Sequence, residues 1–278
     1  MTRAAPIGVF DSGIGGLTVM RALMEKMPSE SFVYLGDTAR LPYGTKSAET
    51  VTRYAVQCAE AVAAHGVKLL VVACNTASSV ALPALQKSLA PIPVIGVIEP
   101  GAEAAVAAAP RGRIAVIATE GTVKGGAYMR AVHARNPNAQ VTQQACPLFV
   151  ALAEEGLTEG EIPELVAERY LAPLLEGREQ PECLVLGCTH FPALAKTIAR
   201  VAGPRIKLVD SAATTADAVA KLLKETGNAH DGAPLPPRFL ATDSPERFAR
   251  VGEIFLGRKI DPDTVELIDL QKLPHTAG

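Results

Sequence analysis

The chain has 278 residues, enough for one large or two modest domains, each with its own core. Hydrophobic residues make up 48% and charged residues 20%, which excludes a disordered chain. The formal net charge of −2 excludes the basic field that drives nucleic-acid binding, so a small anionic ligand would be held by local donors.

The first apolar run is PIGVFD (6–11). A glycine turn, SGIGG, leads into Leu17, Met20, Leu23, Met24 and Met27, spaced as a helix until Pro28. FVYLGD (32–37) is the next strand; a loop, TARLPYGTKS, precedes a helix from about Ser47 to His65. The strand LLVVA, a helix around 79–90 and the strand PVIGVI (93–98) follow. Beyond Pro100 an alanine-rich helix runs to Ala109, followed by the strand RIAVIAT (113–119), a helix to about Asn136 and the strand AQVTQQA (139–145). Thr158 and Glu161 have the spacing of a capping box opening a long helix. After CLVLG (183–187) come a helix, the strand IKLVD (206–210), a helix from about Ala212 to Thr226, then FLATD, a helix from Ser244, and VELID.

Such βα alternation predicts parallel sheets covered on both faces. The chain also repeats itself: IGVFDSG (7–13) is similar to IAVIATEG (114–121), and LLVVACNT (69–76) to CLVLGCTH (183–190). Two similar α/β units facing each other would enclose one pocket between equivalent strand ends, where open α/β sheets bind ligands.

Cys74 and Cys188 each stand where a buried strand breaks into small polar residues, which puts one thiol at each equivalent edge. Paired thiols facing one substrate from opposite sides suit inversion of a carbon centre. A thiol with its ordinary pKa near ~8.5 needs help to act as a base, and Asp11 and His190 are candidate proton partners for Cys74 and Cys188. Ser12, Asn75, Thr76 and Thr189 add small donors and acceptors. Cys58, Cys146 and Cys183 lack this context and read as structural, and the odd count of five suits reduced thiols in a cytosolic protein.

Other chemistries fit less well. A phosphatase loop needs arginine where Val80 and Leu194 stand, and Thr18 replaces the last glycine of a dinucleotide-binding turn. Cys183 and Cys188 lie at opposite ends of one strand, which disfavours a shared zinc. A cysteine hydrolase using one thiol with His190 is the serious competitor. A two-domain amino-acid sensor is the non-enzymatic alternative. No charged leader precedes the first strand and no apolar run reaches about 18 residues, so the expectation is a cytoplasmic protein without a membrane partner.

Seven segments in order, IGVFDSGIGGLTV, YLGDTARLPYG, VVACNTAS, PVIGVIEPG, PLFVALAEEG, LVLGCTHFP and LVDSA, resemble those of bacterial glutamate racemases, within the aspartate/glutamate racemase superfamily. The resemblance implies a cofactor-independent proton transfer that interconverts L- and D-glutamate, the D form feeding peptidoglycan synthesis. It implies that Cys74 and Cys188 are the acid/base thiols, Cys74 removing the α-proton of D-glutamate and Cys188 that of L-glutamate. Asp11 and His190 match the assisting residues. Glu154, ahead of Glu155, matches the family's acidic residue, although Ala151 and Ala153 replace its usual neighbours. Substrate contacts map to Asp11, Ser12, Pro42, Tyr43, Gly44, Asn75, Thr76, Thr189 and His190. The implied fold is two pseudo-symmetric α/β domains, 1–98 plus 210–278 and 99–209, with the site between them, in a homodimer. Aspartate is the alternative substrate within the superfamily.

Overall fold

A computed structural model describes residues 2–177 and 179–270. Its first half runs β1 (Ile7–Asp11), α1 (Leu17–Lys26), β2 (Phe32–Gly36), α2 (Ala48–Ala63), β3 (Leu69–Val72), α3 (Asn75–Val80), α4 (Leu82–Ser88), β4 (Val94–Gly96) and α5 (Ile98–Ala108). The second runs β5 (Arg113–Ala118), α6 (Glu120–Gly125), α7 (Ala127–Arg135), β6 (Gln140–Ala145), α8 (Leu148–Glu154), α9 (Glu161–Leu175), β7 (Cys183–Gly187), α10 (Ala195–Ala202) and β8 (Lys207–Asp210). The chain then passes through α11 (Ser211–Glu225), β9 (Arg238–Ala241), α12 (Pro245–Leu256) and β10 (Val265–Leu267).

The strands form two sheets, ordered β10-β9-β2-β1-β3-β4 and β6-β5-β7-β8, with every pair parallel. The order β2-β1-β3-β4 recurs as β6-β5-β7-β8, so the internal repeat is structural: β1 corresponds to β5 and β3 to β7. In each unit the chain reverses its direction of winding between these two central strands. The carboxyl edge of that pair is the crevice where such sheets receive ligands.

Burial on both faces explains the near-continuous apolar strands. Val9 and Val71 join a core that extends through Val116 and Val185 of the second sheet. Their neighbours Phe10 and Val72 point the other way, into a separate core with Leu70 and Ala55 of α2. The outer strand β6, QVTQQA, is half-exposed and accordingly polar. Among the described residues no helix is long and apolar enough to cross a membrane.

Two local expectations are corrected. The helix expected around 79–90 starts earlier, at Asn75, and is interrupted at Ala81. Pro83 cannot donate to the carbonyl four residues before it, so the helix restarts with Pro83 in its first turn. The capping box of Thr158 and Glu161 does not form. Gly160 is the N-cap of α9 and Glu161 is already helical, while the Thr158 carbonyl accepts a 2.7 Å hydrogen bond from Thr197 Oγ1. Pro163 explains the later start, because a residue without N–H sits without loss in a helix's first turn.

Candidate active site

Cys74 follows β3 and is the N-cap of α3, its Sγ 3.4 Å from the Ala77 backbone N–H that it accepts. Cys188 follows β7, the equivalent strand of the other sheet. Both thiols are only 5% exposed, and both line one cavity of about 280 Å³ between the sheets. Ser12, Pro42, Tyr43, Gly44, Asn75 and Thr76 line it from the first unit; Glu154, Thr189 and His190 line it from the second. Five cysteines are free, so neither thiol is held in a disulfide.

Asp11 is the exception among the expected residues. It lies fully buried behind the wall, where its Oδ2 accepts from the Gly13 backbone N–H at 3.0 Å. Cys74 donates to Ser12 Oγ at 3.3 Å, so its direct partner is Ser12 and Asp11 acts on it through space. Burial pushes the Cys74 thiol up to about 12, and the Asp11 carboxylate adds to the rise. The Asp11 carboxyl is itself raised by burial, against the lowering effects of His190 and nearby backbone N–H groups.

The second thiol has a different environment. Cys188 Sγ lies 3.8 Å from His190 Nδ1, and His190 Nε2 lies 3.0 Å from Glu154 Oε1. The other Glu154 oxygen accepts from Arg247 of α12 at 2.8 Å. Burial alone would lower the imidazole, but contacts with Cys188 and Glu154, with Asp11 nearby, raise it to about 10. Burial alone would raise Glu154, but His190 and Arg247 hold it down to about 2. At neutral pH His190 is therefore an imidazolium, held 3.8 Å from the Cys188 sulfur.

This coupling sets a pH dependence. His190, raised above its ordinary 6.5, contributes stability that is full below pH 6.5 and lost as pH rises through about 10. Glu154, depressed from 4.5, contributes stability that is full above pH 4.5 and lost as pH falls through about 2. Glu154→Gln is expected to lower stability by about 1–3 kcal/mol where both terms are full. Thermal melts of the two proteins should differ most between pH 4.5 and 6.5. The gap should narrow as pH rises through about 10 and as it falls through about 2, the Arg247 pair keeping part of it at high pH. A gap that widens from pH 6 to pH 10 would contradict the pairing.

The glycine turn joins the units. Thr18 Oγ1 lies 2.9 Å from both the Gly15 and the Thr189 carbonyl oxygens and shares its single proton between them. Thr18, which spoils a dinucleotide turn, thus clamps this turn to the loop carrying Cys188. Among the side chains at or next to the cavity that the sequence did not single out are Thr119, Arg247 and Tyr128. Thr119 lines the cavity and meets Thr76 Oγ1 at 2.9 Å. Aligning Ile7 with Ile114 places Thr119 at the position of Ser12, so the repeat carried that signal. Among the described residues no cluster of three or more His, Cys, Asp or Glu side chains is placed to hold a metal ion.

Residues 7–219 match the family model described as Asp/Glu/Hydantoin racemase. The chain belongs to this family. It is 49% identical over 263 residues to a glutamate racemase of Geobacter metallireducens, covering 91% of this chain and 93% of the relative. Its fold matches the crystal structure of Francisella tularensis glutamate racemase in complex with D-glutamate, with a TM-score of 0.90 and 38% identity over 98% of this chain and all of that one. The glutamate racemase of Thermus thermophilus, in complex with β-chloro-D-alanine, matches with a TM-score of 0.86 and 43% identity, covering 98% and 100% of the two chains. Relatives of this racemase family thus cover its whole two-sheet architecture.

Proposed function

We propose that the protein interconverts L- and D-glutamate by proton transfer at Cα between Cys74 and Cys188, without a cofactor. The observation that carries this reading is the placement of two free thiols, from equivalent strand ends, on one cavity. Racemisation needs a base on one face of the carbon and an acid on the other, and two facing units supply them without movement across the substrate.

The electrostatics suit a division of labour. Cys74, raised to about 12, holds its proton in the free protein. That is the state required to protonate a carbanion formed from L-glutamate. Cys188, beside His190, removes the L-antipode's α-proton; in the reverse direction the roles exchange. The α-proton of an amino acid is far less acidic than a thiol, so the carbanion needs donors fixed around it. Asn75, Thr76 and Thr189 line the cavity, and in this reading they offer hydrogen bonds to the substrate carboxylates. Asp11 and Glu154 assist through charge, and Tyr43, Gly44 and Pro42 complete the wall.

The same proposal divides the chain into domains 1–98 plus 210–278 and 99–209, assembled as a cytoplasmic homodimer that supplies D-glutamate for peptidoglycan. Chiral analysis of product from L-glutamate and L-aspartate tests the substrate. Efficient racemisation of glutamate and at least about 100-fold weaker turnover of aspartate are expected, because the shorter chain cannot place both carboxylates on the same donors. Preference for aspartate would overturn the assignment. The 3.8 Å Cys188–His190 contact is also compatible with a hydrolase dyad. That reading requires a covalent thioester intermediate visible by mass spectrometry.

A further inference from the structure

Asn75 enters the cavity wall from α3 and is 2% exposed. Its Oδ1 accepts a 2.8 Å hydrogen bond from the hydroxyl of Tyr128, on α7 of the opposite unit. Its Nδ2 is buried and has no hydrogen-bond partner among the described residues. An amide is ambiguous by itself, since half a turn about its last bond exchanges donor for acceptor. Here Oδ1 is the end taken by the Tyr128 hydroxyl, and Nδ2 is the end left for a ligand.

Tyr128 is fully buried, and burial pushes its phenol up against a smaller lowering by Ser211, so it keeps its proton at physiological pH. The ring has little freedom to leave. A Cβ at Gly101 or Gly187 would stand 3.2 or 3.1 Å from it, so both glycines preserve the slot that it fills. We propose that Tyr128 is a positioning residue that locks the Asn75 amide with Nδ2 towards the cavity, making that wall a donor for a substrate carboxylate. The inference rests on the glutamate reading of the cavity. Its physical basis is that a buried N–H without a protein partner seeks an acceptor in the ligand. Because Tyr128 and Asn75 belong to different units, the donor is aimed only when the two are packed together.

A double-mutant cycle on the full chain tests the lock. Racemisation of L-glutamate is followed for wild type, Tyr128→Phe, Asn75→Ala and the double variant, with a thermal melt of each. Tyr128→Phe removes one oxygen and should remain folded while kcat/KM falls about tenfold, the size of one lost hydrogen bond. In the Asn75→Ala background the same change should have no further effect on kcat/KM, because the amide that the hydroxyl would aim is already gone. A merely structural role would instead lower activity by the same factor in both backgrounds. Wild-type kcat/KM in Tyr128→Phe, or effects that multiply in the double variant, would overturn the proposal. A wild-type chain inert towards glutamate would instead sink the underlying reaction.

Discussion

Serine in place of either Cys74 or Cys188 is expected to lower racemisation of glutamate by at least ~10³-fold while leaving the fold intact. A serine hydroxyl is far less acidic than a thiol, so it neither holds the charge of a base nor returns the proton at a useful rate. Stability should survive at position 74, because serine is a better N-cap than cysteine and can accept the Ala77 N–H that the sulfur accepts now. The loss would therefore be chemical. Each variant keeps one base, and elimination needs only one. Cys74→Ser should still remove HCl from the L-antipode of a β-chloro analogue of glutamate, where Cys188 takes the α-proton as chloride leaves. Cys188→Ser should do so from the D-antipode. Chiral chromatography of the racemisation product, and of the chloro-substrate antipode that remains after elimination, checks both arms, and a serine variant racemising near the wild-type rate would refute the paired thiols.

Gly15→Ala is expected to lower kcat/KM by at least about 100-fold in a folded protein. A Cβ at Gly15 would stand 2.5 Å from His190 Cε1 and Nδ1 and 2.7 Å from Thr189 Oγ1. The imidazole cannot retreat easily. Phe255 packs edge-on against it with ring centres 5.1 Å apart, and Glu154 holds Nε2. Relief therefore requires moving His190 away from Cys188 or opening the Thr18 clamp between the units. Steady-state kinetics beside a thermal melt separates this from unfolding, since strain of this kind costs about 1–3 kcal/mol. Wild-type kcat/KM in the alanine variant would show that close approach of the turn to His190 is dispensable.

Strand ends were the most legible part of the sequence. LLVVAC and CLVLGC read as buried parallel strands because both faces are covered, and the polar residues after them mark the ligand-bearing edge. The repeat was legible for the same reason and anticipated the matching strand orders. Helix starts were less so. A prolyl residue moved the beginning of α9 past Thr158, and the N-cap role of Cys74 has no signal in a residue type that rarely caps. Least visible were side chains brought in by tertiary packing. Arg247 lies 93 residues from the Glu154 it pairs with, and Tyr128 lies 53 from Asn75, with no local motif to announce either. Asp11 was expected at the cavity wall, and its place off that wall, fully buried with Oδ2 on the Gly13 N–H, depends on the turn geometry of SGIGG.

Proton transfer between two thiols on opposite faces leaves a label that no other reading shares. L-glutamate incubated with the protein in heavy water, and sampled at low conversion, should yield D-glutamate carrying deuterium at Cα while recovered L-glutamate keeps its protium. In the proposed reaction Cys188 removes the proton and the solvent-exchanged thiol of Cys74 supplies the deuteron. Deuterium appearing in recovered L-glutamate as fast as in the product would point to a single base. Absence of Cα deuterium from both antipodes would contradict racemisation by this site altogether.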